Sequence, residues 1–135
     1  SVDGFDVAPT TGRLAIVNYE TGCGTGDTTH QGFYTADKDG HGVTLLVNML
    51  ADSNWCGAKE IFWSPDETKL AVKACYNWYT YLLVFDAGNG KLLSAVYFND
   101  SHYTLYNVDL HGWSPDGKWL LYSFWLNDVA ASTLA

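Results

Sequence analysis

The stretch Ile61-Phe-Trp-Ser-Pro65-Asp-Glu-Thr-Lys-Leu70-Ala decides the fold, because the chain carries it in three versions. The upstream version is Phe5-Asp-Val-Ala-Pro9-Thr-Thr-Gly-Arg-Leu14-Ala and the downstream one is His111-Gly-Trp-Ser-Pro115-Asp-Gly-Lys-Trp-Leu120-Leu. All three prolines of the chain lie in these copies, spaced 56 and 50 residues apart, and a leucine follows each by five positions. A period of this length marks an array of one supersecondary unit. Ile61 to Trp63 and Leu70 to Cys75 are rich in β-branched, aromatic and other apolar residues, as strands require, whereas Ser64-Pro65-Asp66-Glu67-Thr68 is turn chemistry. Proline presets the turn backbone and the aspartate can bind neighbouring amides, so each copy is expected to be a hairpin.

Two further strands follow each hairpin. After the second come Tyr81-Leu-Leu-Val-Phe85, the turn Asp86-Ala-Gly-Asn-Gly90 and Lys91-Leu-Leu-Ser-Ala-Val-Tyr-Phe98. After the first come Gln31-Gly-Phe-Tyr-Thr35, Asp37-Lys-Asp-Gly40 and Val43-Thr-Leu-Leu-Val47. No stretch has the length, apolar period and caps of a helix. The expectation is an all-β partial propeller built from blades of four antiparallel strands, a to d. Blade 1 should cover about 5–50, blade 2 about 59–98 and an incomplete blade 3 about 108–135, with its third strand only beginning. That makes about two and a half blades within one domain, 1–135. Closed rings use four to eight blades, and open ends expose apolar faces and unpaired strand edges. The chain begins without methionine and is expected to be a processed product, part of something larger, or a ring completed by other chains.

Trp63-Ser-Pro65-Asp66 and Trp113-Ser-Pro115-Asp116-Gly-Lys-Trp-Leu120 resemble the motif of TolB-like propellers, the WD-repeat-like class found in bacterial exported proteins and in the N-terminal domains of prolyl-oligopeptidase-type peptidases. The likeness extends over the whole chain as repeats and is weakest in the first, where Val7-Ala8 replaces Trp-Ser and Thr10 replaces Asp. It makes Pro9, Leu14, Trp63, Pro65, Asp66, Leu70, Trp113, Pro115, Asp116 and Leu120 the structural repeat positions. It implies a fold and an extracytoplasmic (periplasmic, cell-surface or secreted) bacterial protein, but no active site, because propellers host many functions.

The three cysteines are expected toward one face of such a fold, where the b–c and d–a loops emerge. Pairing strands about the Pro65–Thr68 turn puts residue 56 opposite residue 77, near Cys75. Cys56–Cys75 is therefore the first candidate bridge and Cys23–Cys56 the second, with one thiol left over. Three unpaired buried cysteines are the alternative. A bridge would suit an oxidising compartment. Trp55, Trp78, Tyr79, His102, Tyr103 and Trp125 fall in or beside the loops of the same face. They are either anchors for a partner protein or glycan, or packing between loops and blades. Trp63, Trp113 and Trp119 occupy repeated strand positions and read as structural.

Charged residues are only 16% of the chain, below the roughly 25% of an average domain, so much of the surface is uncharged. Fifteen acidic against seven basic residues give a net charge of −8, which opposes nucleic acid and anionic membranes. No apolar run approaches the roughly 18 residues of a membrane span. Gly22-Cys-Gly24-Thr-Gly26 lacks the strand–loop–helix setting of a phosphate loop. Asp37-Lys-Asp39-Gly40 starts a calcium-loop rhythm without its later ligands, and reads as a hairpin turn. The histidines at 30, 41, 102 and 111 have no zinc spacing, so no cofactor or metal is expected. Asn99-Asp-Ser101 is a glycosylation sequon that matters only in a eukaryotic secreted protein. There is no Gly-x-Ser-x-Gly elbow, and turn carboxylates should be solvated with ordinary acidity. The residues favour a non-enzymatic interaction or assembly scaffold, from an exported propeller that presents loops and blade edges to other proteins or to its own copies. The alternative is the substrate-gating or ligand-binding propeller portion of a prolyl-oligopeptidase-like hydrolase or a glycan-binding protein.

Overall fold

The computed structural model describes residues 4–19, 30–98, 108–126 and 129–134. They form three antiparallel sheets in chain order. The first sheet contains β1 (Gly4–Val7), β2 (Leu14–Asn18), β3 (Gly32–Ala36) and β4 (Thr44–Asn48). A single 3-10 turn, Met49–Ala51, leads out of it. The second contains β5 (Trp55–Trp63), β6 (Lys69–Tyr76), β7 (Tyr79–Asp86) and β8 (Leu92–Phe98). The third contains β9 (Val108–Trp113), β10 (Leu120–Leu126) and β11 (Val129–Leu134). Two differences from the repeat reading stand out. β5 opens at Trp55, ahead of a start near Lys59, and the third sheet has a full six-residue third strand rather than only its beginning.

The turn between strands a and b owes its shape to the Ser-Pro-Asp unit. Ser64 Oγ donates to Asp66 Oδ1 at 2.7 Å, Thr68 N donates to the same oxygen at 3.1 Å, and Lys69 N donates to Ser64 Oγ at 3.0 Å. The third copy repeats these bonds with Ser114, Asp116, Lys118 and Trp119. The first copy has Ala8 and Thr10 where the others have the turn serine and aspartate, and Glu67 of the neighbouring sheet substitutes for them. Its Oε1 accepts from Thr10 N, Thr11 N and Thr11 Oγ1 at 2.9–3.1 Å.

The sheets stack face to face, as the period-two alternation of β6 dictates. Leu70, Val72 and Ala74 join Val17, Phe33, Ile61, Leu83 and Phe85 in a core shared by the first and second sheets. Ala71, on the other face, joins Leu82, Val84, Val108, Leu110 and Leu120 between the second and third. Strand β5 packs against β1 and β2 on one side and β9 on the other, so the three a strands are adjacent. Polar bonds lock the stack. Trp63 N donates to Asp6 Oδ2 (2.8 Å), Leu110 N to Glu60 Oε2 (2.7 Å) and Trp113 Nε1 to the Phe62 carbonyl (3.1 Å). Lys73, buried between the second and third sheets, donates to the Val108 carbonyl at 2.7 Å and faces Glu60 at 3.2 Å and Asp109 at 3.6 Å. Trp63 is buried beneath the Arg13 guanidinium, but Trp119 is half exposed, because it follows the turn and its backbone N, not its ring, makes the repeat bond.

Candidate functional site

At the end of the second sheet opposite its Pro65 turn, β5 and β6 leave their simple register. Trp63 pairs with Leu70 and Ile61 with Val72, but two irregularities in β5 then bring Gly57 opposite Cys75 and Trp55 opposite Tyr76. Residue 56 therefore does not fall opposite residue 77, because the bulges shift the strand toward Cys75. Cys56 and Cys75 form a disulfide with Cα atoms 4.9 Å apart. The alternative partner, Cys23, lies outside the described residues. Next to the bridge, β6 turns into β7 through Asn77 and Trp78, both with left-handed backbone (φ 53° and 69°). Such two-residue turns suit the twist of a hairpin, yet normally place glycine where Trp78 stands. Asn77 N donates to the Asn54 carbonyl at 2.8 Å, which ties the tip to the segment entering β5. Trp78 is 87% exposed.

A ladder of rings runs from this tip along the face of the second sheet that looks toward the first. Its centroid spacings are 6.4 Å from Tyr79 to Tyr97, 5.7 Å from Tyr97 to Tyr81, 6.2 Å from Tyr81 to Tyr76 and 5.1 Å from Tyr76 to Trp55. It continues through Phe33 to Phe85. Beside it lies a groove of about 370 Å³ lined by Asp52, Trp55, Tyr76, Tyr81, Leu83, Phe85, Leu92 and Ala95, within the range of roughly 300–1,000 Å³ typical of small-ligand sites. Asp52 supplies its charge. The Tyr76 hydroxyl donates to Asp52 Oδ2 at 2.5 Å and Asn54 N to Oδ1 at 3.0 Å. The Tyr76 bond, first, holds the Asp52 carboxyl below its usual range and raises the Tyr76 phenol.

Of the aromatic residues singled out from the sequence, Trp55, Trp78 and Tyr79 come together here. Trp55 is half-buried in the wall, and Trp78 and Tyr79 are exposed at the tip. Trp125 falls within β10, whereas His102, Tyr103 and the 99–101 sequon lie outside the described residues, as does the glycine run 22–26. Sequence reading missed Asp52, Tyr76, Tyr81, Phe85 and Tyr97. The alternation Tyr79-x-Tyr81-x-Leu83-x-Phe85 was the available signal, since period two puts all four on one face.

The turn carboxylates are not ordinary. Hydrogen bonds lower Asp39, Asp52, Asp66 and Asp116, with Asp66 reaching about 2 through Ser64 first and Thr68 next. All are stabilised as anions, which makes them poorer bases and leaves no proton to give at neutral pH. His111 Nε2 and Ser123 Oγ are 2.7 Å apart on the third sheet. Among the described residues no carboxylate hydrogen-bonds to that pair to orient it, and no three metal-ligating side chains cluster. No helix of the described residues is long and apolar enough to cross a membrane.

Stacked antiparallel sheets of four, four and three strands with adjacent first strands define a class: the chain folds as a partial β-propeller. Its fold is similar to the crystal structure of TolB from Acinetobacter baumannii, with a TM-score of 0.59 and 17% identity over 90% of this chain. The match covers 26% of that protein, so the chain spans about a quarter of its length, and at this identity the likeness carries the fold alone. No protein-family model matches the chain, nor does any curated protein.

Proposed function

We propose that this chain is a non-enzymatic segment of an exported β-propeller that binds another protein through the aromatic end of its second sheet. The observation that carries the reading is Trp78. A bulky side chain in left-handed backbone costs about 1–2 kcal/mol, and its exposure recovers nothing by burial within the chain. A partner's pocket would supply that burial, and exposed Trp and Tyr are the usual anchors of protein interfaces. The disulfide and the Asn77–Asn54 bond hold the tip rigid, which lowers the ordering cost of association. A bridge of this kind persists in oxidising compartments, which supports export. The groove has few polar groups to match the hydroxyls of a sugar, which favours protein over glycan. The lowered carboxylates favour binding over hydrolysis.

The test is site-specific photo-crosslinking in the native host, with the reactive residue at position 78 or, as control, at position 89 in the turn at the other end of the sheet. One discrete protein adduct at 78, lost in a Tyr79→Ser/Tyr97→Ser background and absent at 89, is the expected result. Identical patterns at 78 and 89 would overturn the reading.

A further inference from the structure

The groove beside the ladder has a geometry more specific than an apolar cleft. Tyr76 stands nearly perpendicular to both of its neighbours, at 77° to Trp55 and 81° to Tyr81, so the three rings meet as walls of a box. Leu83, Leu92 and Ala95 add aliphatic surface, and none of the lining residues is basic. Asp52 stands at the rim, bonded to Tyr76 and held as an anion. Ring faces carry negative potential and attract organic cations, the more so when water is partly excluded. An aliphatic stem ending in an ammonium group satisfies every wall of this site: methylenes on the leucines, cation among the rings, charge opposite Asp52. The net charge of −8 favours the approach of such a group.

We propose that the groove receives a lysine side chain of the partner protein. The proposal rests on the protein-binding reading above and names the chemistry of its anchor. The probe is Nα-acetyl-lysine N-methylamide, and its neutral isostere is Nα-acetyl-2-aminoheptanoic acid N-methylamide, in which a methyl replaces the ammonium, each titrated into the full oxidised chain while tryptophan fluorescence and aromatic NMR shifts are followed. The lysine compound should bind about fivefold more tightly than the 2-aminoheptanoic acid compound and shift the Trp55 and Tyr81 resonances. Asp52→Asn should remove most of that preference while apolar binding persists. The isostere comparison needs no variant, so it stands even if Asp52→Asn perturbs folding.

Equal affinity for the two compounds, or shifts confined to residues away from Trp55 and Tyr81, would overturn the proposal. Absence of binding by both would also overturn it. If the discrete adduct at position 78 were still seen in either case, the protein-binding reading would stand without the lysine anchor. Loss of the adduct with lysine preference intact would remove that reading and leave a cation site.

Discussion

Glu67 shows how one residue can serve two requirements that conflict. It occupies left-handed backbone (φ 61°) where the third repeat has Gly117 (φ 72°), and its carboxylate repairs the first repeat's turn. Glu67→Gly and Glu67→Ala lose the same three bonds, but only alanine keeps the strain. Urea denaturation should therefore find Glu67→Ala less stable than Glu67→Gly by about 1 kcal/mol, and equal stabilities would mean that φ at this turn is not limiting. Asp66 makes the matching point about pH. Its carboxyl is lowered from 3.8 to about 2, so the stability it contributes is complete above about pH 4 and is lost as pH falls toward 2. Because the side chain is exposed, Asp66→Asn should cost only about 1 kcal/mol at neutral pH. The variant's melting temperature should fall less than wild type's between pH 4 and pH 2.

Between elements, the stacking of sheets depends on Lys73 as well as on apolar burial. The side chain is 3% exposed, whereas Glu60 and Asp109 remain 30% and 44% exposed. Removing the lysine leaves Asp109 able to turn to water and Glu60 still bound by Leu110 N, but it also leaves a void and takes the Lys73 donor from the Val108 carbonyl. Lys73→Ala should lose about 3 kcal/mol in chemical denaturation, and Lys73→Met no more than half as much, because its thioether refills the space. A larger loss for methionine would show that the charge, rather than the volume, holds the second and third sheets together.

For the molecule as a whole, the outer faces of the stack decide behaviour. Phe5, Ile16, Tyr34 and Leu45 form one row across the first sheet, in the positions that Ile61, Val72, Leu83 and Ala95 occupy in the second. In the second sheet Ile61, Val72 and Leu83 are buried against the first, whereas Phe5 is 68% exposed and Leu45 is 45% exposed. Exposed contiguous apolar rows of this kind mark interaction sites or aggregation hazards. Expressed alone, residues 1–135 should show concentration-dependent association in sedimentation velocity, reduced by Phe5→Ser/Leu45→Ser. A sharply melting monomer would contradict this.

The three proline hairpins and the turns after them announced the four-stranded units, because turn chemistry and period-two alternation are local properties of a chain. They also placed Trp55, Trp78 and Tyr79 at one end of a sheet. What no local rule contained was the pair of bulges that brings β5 into line with Cys75, or the carboxylate lent by Glu67 to a turn 56 residues away. The box of Trp55, Tyr76 and Tyr81 with Asp52 was equally hidden, since its members lie on three strands and the connection between two sheets. Repetition in the sequence determined that blades would form, because a hairpin needs only its neighbours. Tertiary packing alone decided where a groove, a charge and a rigid tip would meet, because those distances depend on how one sheet slides and twists against the next.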